Sequence, residues 1–222
     1  GWISLDGAFS GCANLESFTG GVTSSVTNMR RMFSGTAALT NPDFSNLDTS
    51  VVTDMSYMFD GATGITDLDL SNFVTTSVLN MSNMFKGVTG ITDLDVSNFV
   101  TTSVTNMSYM FYGTTAFNQD ISAWDVSNVV DMHRMFERAT AFNQNLSAWD
   151  VSNVTSMGNI FLDTSLSTAN YDALLSGWSS LDLQQSVIFS VGDTQYSAAS
   201  QSARDVFINV YNWTITDGGI AN

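Results

Sequence analysis

Large apolar residues recur along this chain as M-x-x-M-F: Met29, Met32 and Phe33, then Met55/Met58/Phe59, Met81/Met84/Phe85 and Met107/Met110/Phe111. The closing aromatic has counterparts at Phe9, Phe33, Phe59, Phe85, Phe111, Phe136 and Phe161, a spacing of 24 to 26 residues. Self-similarity at a period of about 20 to 50 residues marks a stacked repeat architecture, and a period near 25 falls in the leucine-rich-repeat range. Apolar residues at i, i+3 and i+4 predict a short helical turn with three large side chains on one face. A polar residue stands before each turn (Asn28, Asp54, Asn80, Asn106) to cap its amides, and Gly35, Gly61, Gly87 and Gly113 end it in a left-handed conformation. Val26, Val52, Val78, Val104, Val129 and Val154 form a further apolar column. A small residue follows each glycine, so Cys12 reads as a core filler.

Between the turns the period changes to two. I-T-D-L-D-L-S-N-F (65–73) and I-T-D-L-D-V-S-N-F (91–99) predict strands with Leu68, Leu70, Leu94 and Val96 inward and Asp67, Asp69, Asp93 and Asp95 outward. Successive copies are expected to pair as one parallel sheet. Pro42, in the Leu68 column, predicts a short or irregular earlier strand, and Asn46, Asn72 and Asn98 form a column able to bond loop backbone. In F-N-Q-D-I-S-A-W-D-V-S-N-V (117–129) and its copy at 142–154, Trp124 and Trp149 replace Phe73 and Phe99 as core. The first copy is atypical, with Leu5 and Ala8 in place of methionine, as terminal repeats are. After Phe161 the pattern gives way to a helix (167–178), a strand (187–191), a helix (200–211) and a strand (213–216), a small α+β cap. Asp217, Gly218 and Gly219 read as the exit into a linker. The expected organisation is a solenoid over 1–165, of about seven rungs, with a capping segment over 166–222 continuous with it as one domain.

Charge narrows the partners. With 21 acidic and 6 basic residues the net charge is −15, which argues against nucleic acid and anionic membrane and for a cationic partner or metal. Only Glu16 and Glu137 are glutamate; the remaining acids are aspartate, which suits turns and rigid oxygen-ligand sites. The single cysteine excludes an intrachain disulfide. No stretch approaches 18 consecutive apolar residues, and no basic region precedes an apolar one at the N-terminus. The abrupt start in mid-pattern suggests a segment of a longer protein.

The motifs L-D-V-S-N-F, W-D-V-S-N-V-T-S-M, M-x-x-M-F-x-G and F-N-Q-D-I, over roughly residues 5 to 165, resemble the BspA-like leucine-rich repeat family, including related repeats of mycoplasma and marine bacterial surface proteins. The resemblance implies a right-handed solenoid in a secreted or cell-surface bacterial protein used in adhesion or protein binding, and it supplies no catalytic residues. Val74 and Val100 stand where neighbouring repeats have Asp48, Asp125 and Asp150, so a site built on that column would be interrupted.

The acidic outer face is the candidate ligand site, with Asp43, Asp67, Asp69, Asp93, Asp95, Asp120, Ser71 and Ser97 as its residues. Strands about 4.8 Å apart would bring Asp67 over Asp93 and Asp69 over Asp95, a like-charge arrangement that a bound Ca²⁺ on those four aspartates, or a basic partner, would offset; the competing reading is a solvated acidic face. Arg30, Arg31, Lys86, Arg134 and Arg138 lie in the turns instead, where arginine-on-tyrosine stacking with Tyr57 and Tyr109 is expected. The lone histidine, His133, has no catalytic or zinc-binding partners at suitable spacing, which points away from an enzyme. Two functions stay open: an adhesion module presenting its acidic face to a protein, peptide or glycan, and a structural spacer in a large surface adhesin with no ligand of its own.

Overall fold

The structure, a computed structural model, describes residues 1–221. The methionines and phenylalanines of the motif do what their spacing requires: Met55, Met58 and Phe59, and their equivalents from Met29 to Phe161, are buried to 1 % exposure or less. Their phenylalanines form one column, with successive rings 5.5 to 5.9 Å apart and within 11° of parallel, a spacing at which aromatic pairs attract beyond simple burial. The valine column is fully buried beside it. Cys12 departs from expectation. Its column mates Thr36, Ala62, Val88 and Thr114 are buried, whereas Cys12 is exposed, because only one face of the first repeat has a neighbour in the structure.

The backbone of the motif is not the expected helical turn. Residues Arg31, Tyr57, Asn83, Tyr109, Arg134 and Asn159, between the two large apolar positions, have φ of 54 to 59°, and a second left-handed column runs through Gly35, Gly61, Gly87 and Gly113 to Arg138 and Asp163. This path alternates the direction of the amides. Met32, Ser34 and Thr36 donate three residues back within their own repeat, while Met29, Arg31, Phe33 and Gly35 donate forward to the carbonyls of Asp54, Ser56, Met58 and Asp60 in the next repeat. A helix would have spent all these hydrogen bonds internally. Here four of the seven join repeats, and the same four-bond pattern recurs from the repeat of Phe9 to that of Phe136. Parallel bridges accordingly lie at Asn28, Asp54, Asn80, Asn106, Asp131 and Ser156. The side chains of Asn28, Asp54, Asn80, Asn106 and Asp131 take the expected capping role, accepting the amide two residues on at 2.8 to 3.0 Å.

The predicted sheet is absent where it was placed. Residues 65–73 and 91–99 show the expected alternation of burial but form no strand. The one bridge on that side joins Thr19 to Asp43, beside the proline expected to disrupt it; Pro42 is tolerated because the amide used there is that of Asp43, donated to Phe18 O. Buried threonines hold the next corner together. Thr49 and Thr75 each accept the amide and donate to the carbonyl of Val74 and Val100, respectively, and Thr23 does the same for Asp48.

The exchange of S-N-F for S-A-W has a physical basis. Asn72 and Asn98 donate from their side-chain amides to Phe44 O and Leu70 O of the preceding repeat. Where alanine replaces this asparagine, the neighbouring tryptophan takes over, Trp149 Nε1 donating to Ile121 O; beyond the repeats, where Gly177 stands at that place, Trp178 Nε1 likewise donates to Leu146 O. One tryptophan thus serves as both the apolar and the donor residue. Trp124, at the switch between the two repeat types, has a buried Nε1 with no partner.

The C-terminal part follows its predicted elements: α1 (Thr168–Trp178), capped by Ser167 Oγ accepting from Asn170 N; β1 (Ile188–Ser190); α2 (Gln201–Asn209); and β2 (Thr214–Thr216), parallel to β1. Its core residues Tyr171, Trp178 and Phe189 belong to the same apolar cluster as the repeats. Asp217 is no exit into a linker. Its side chain is only 4 % exposed, pairs with Arg204 at 2.7 Å and accepts from Tyr171 Oη at 2.9 Å, tying α1, α2 and the end of β2 together. Burial, then the adjacent Asp217 charge, pushes the Tyr171 hydroxyl far up, so it remains a donor. Gly218 is required because a Cβ would meet Asp193 O at 2.2 Å.

Trp149→Phe is expected to cost about 1–2 kcal/mol more than Trp124→Phe in denaturant unfolding, the excess being the indole hydrogen bond that only Trp149 makes. Equal losses would remove the donor role from the tryptophan column.

Candidate functional site

The acidic face is built by a local rule, aspartate followed two residues later by serine. In this turn a carboxylate oxygen accepts the serine amide: Asp43 from Ser45, Asp69 from Ser71, Asp95 from Ser97 and Asp120 from Ser122, each at 2.9 Å. Such turns form because a short aspartate side chain mimics a backbone carbonyl. Hydrogen bonding from the serines, through their side chains first and their backbone amides second, holds these four carboxyls below the ordinary value of 3.8.

The same turns explain why the segments do not pair. The Ser71 and Ser97 amides are used locally, and those of Phe73 and Phe99 bond Leu70 O and Val96 O within their own repeats. Adjacent repeats therefore part on this side, leaving two clefts. One, of ≈ 320 Å³, is lined by Asn41, Pro42, Asp43, Phe44, Ser45, Asp69, Ser71 and Asn72. The other, of ≈ 220 Å³, lies between Asp69 and Asp95 with Ser71, Ser97 and Asn98 at its sides. Five of the eight expected residues thus come together as cleft walls: Asp43, Asp69, Asp95, Ser71 and Ser97. Asp67, Asp93 and Asp120 are exposed but line neither cleft, and Asp93 accepts from Gln119 of the following repeat. Asn72 and Asn98, from the asparagine column that begins at Asn46, and Asn41, which continues the column of Asp67 and Asp93, also join the walls.

Charge compensation is confined to other parts of the molecule. Arg30–Asp6, Lys86–Asp60, Arg134–Glu137 and Arg138–Asp163 pair on the turn side and Arg204–Asp217 in the C-terminal part. Arg31 stacks over Tyr57 at 5.0 Å and Arg134 over Tyr109 at 5.8 Å, as expected. Among the described residues no basic side chain forms an ion pair with Asp43, Asp67, Asp69, Asp93, Asp95 or Asp120. No three of His, Cys, Asp or Glu come together to hold a metal among the described residues, and each cleft offers two carboxylates, each already accepting a serine amide.

The family model for "Mycoplasma protein of unknown function, DUF285" matches residues 3–94 and again residues 88–189. The chain therefore belongs to this family, a bacterial repeat family of the mycoplasma type, and the two matches follow the internal repetition. No curated protein and no solved structure shows significant similarity to it. No helix among the described residues is long and apolar enough to cross a membrane.

Replacing Ser71 with Ala is expected to raise the Asp69 carboxyl toward 3.8 in an NMR titration while leaving Asp120 unmoved. Since the folded-state values are depressed, the stability these ionised carboxylates contribute is present above about pH 3.8 and is lost as the pH falls below it. An unchanged Asp69 titration in the variant would show that the serine is not what holds it down.

Proposed function

We propose that this chain is a right-handed solenoid of the BspA-like leucine-rich-repeat type and serves as a non-catalytic ligand-binding module of a secreted or cell-surface bacterial protein. Its ligand, on this reading, is a protein or peptide that places lysine or arginine side chains in the clefts between Asp43, Asp69 and Asp95. The observation that carries the reading is that, among the described residues, no basic side chain pairs with these aspartates, although every lysine and arginine except Arg31 is ion-paired elsewhere. A rigid stacked scaffold suits this use, since its side chains are already positioned and little ordering entropy is lost on binding. Glycans, with few cationic groups, match the face less well. Calcium is not needed for the proposed contact. The spacer function, in which the module only extends a longer surface protein, shares the same scaffold and differs in having no ligand.

Binding of a lysine-rich peptide and of a glutamate-rich control, measured by calorimetry with calcium and with chelator, separates these readings. The expected result is selective, salt-sensitive binding of the basic peptide, weakened about tenfold or more in Asp43→Asn/Asp69→Asn/Asp95→Asn and indifferent to calcium. Equal affinity of the triple variant would overturn the cleft assignment. A melting temperature that rises with calcium would restore a metal to this face.

A further inference from the structure

The forward hydrogen bonds that join repeats fail at one place. Met132, Arg134, Phe136 and Arg138 still send their amides to Ser156, Gly158, Ile160 and Leu162, but in the following repeat the four-bond pattern is reduced to the bridge of Met157 to Phe189 and to the Phe161 amide, which reaches Ser190 O at 3.3 Å. The cause is a mismatch in register. Met157 bridges to Phe189, and Phe161 bonds the very next residue, so four residues of repeat backbone face a single step of β1. Ile160 still donates within its own repeat, to Met157 O, but the Asn159 amide loses the forward acceptor its equivalents have, and an open cavity of ≈ 340 Å³ lies beside it between the last repeat and β1.

The cavity has an unusual lining for a chain of net charge −15: His133, Thr155, Ser156, Met157, Gly158, Asn159, Ser186 and Ile188 include no acidic side chain. Its polar groups can donate. The amide of Asn159 is the equivalent of the Arg134 amide that bonds Gly158 O, and it has no backbone acceptor. Ser186 Oγ accepts from Asn212, which leaves its own proton free. His133 Nε2 accepts from Arg134 Nε at 3.1 Å, which places the ring proton of the neutral imidazole on Nδ1. That nitrogen lies against Gly158, where a Cβ would be 3.1 Å away. The sequence marks the same place. Ser156 occupies the capping column held by Ser4 in the first repeat and by Asn28, Asp54, Asn80, Asn106 and Asp131 in the five between, and two positions on Gly158 follows Arg30, Ser56, Ser82, Ser108 and His133, the one residue of that column with no side chain.

We infer that this cavity is a binding site for a carboxylate group, held by the Asn159 amide, the Ser156 and Ser186 hydroxyls and His133 Nδ1, with Met157 buried beneath them and Ile188 at the exposed rim. A peptide C-terminus and a sugar acid are two sources of that group. The site lies outside the aspartate clefts and does not depend on them.

The test is an amide-resolved NMR titration with two probes, N-acetyl-triglycine and galacturonate, each beside its uncharged amide. The expected result is a saturable shift of the Asn159 and Gly158 amides and of the His133 ring with at least one carboxylate probe; which probe binds identifies the source. Two variants keep the fold in view. Gly158→Ala crowds the His133 ring, and Ser156→Asp restores the residue type of the column while placing a negative charge in the cavity. Both should retain the melting temperature and weaken carboxylate binding about tenfold or more. No shift with either carboxylate, or equal shifts with the uncharged amides, would overturn the assignment, as would unimpaired binding by Ser156→Asp.

Discussion

The whole molecule depends on how its backbone amides are divided between a repeat and its neighbour. In the M-x-x-M-F segment alternate amides turn inward to the repeat's own carbonyls and outward to those of the next. Burying backbone without such partners would be prohibitive, since an unmet buried amide costs about 1–3 kcal/mol. The methionines and phenylalanines can be fully buried only because this division satisfies the chain that carries them. The left-handed positions are its geometric price, carried by glycine where possible and by Arg31, Tyr57 or Tyr109 where a side chain is also wanted on the surface.

On the opposite side the rule is different, and that difference creates surface. Aspartate and serine satisfy much of the backbone within each repeat, so neighbouring repeats are joined here mainly through side chains, and clefts remain between them. One side of the chain is fastened along its length by main-chain bonds, and the other by buried threonines and by asparagine or tryptophan donors. A protein so arranged can vary its acidic side from copy to copy without disturbing the stack.

This asymmetry also decides what could be read from the amino-acid sequence. The buried columns were legible because burial leaves a direct trace in residue type: Val26, Met29 and Phe33 recur wherever their equivalents are inside. The backbone path was not. Apolar residues at i, i+3 and i+4 fit a helical turn and equally fit a chain of tight turns with a left-handed residue between them, and Arg31 or Tyr57 gives no hint of positive φ. Alternation in 65–73 correctly placed Leu68 and Leu70 inside and Asp67 and Asp69 outside, but alternation reports which way side chains face, not whether neighbouring segments bond. The aspartate face was therefore recognised while its division into clefts was missed. The clue was present in the serine two residues after Asp43, Asp69, Asp95 and Asp120.

The ladder has an electrical consequence. Each forward bond places the carbonyl of one peptide plane toward the preceding repeat and its N–H toward the following one, as in the plane between Arg30 and Arg31, where Arg30 O accepts from Gly7 and Arg31 N donates to Ser56. Four such planes per repeat point the same way, and fewer, such as the Thr53 amide donated to Thr27 O, oppose them. Peptide dipoles of about 3.5 D each, aligned over this distance, sum as they do along a helix. Here, though, the positive end is the C-terminal one. The positive end of this array lies where the last repeat meets β1, so the end of the stack closest to His133 and Asn159 is the one toward which its backbone draws negative charge.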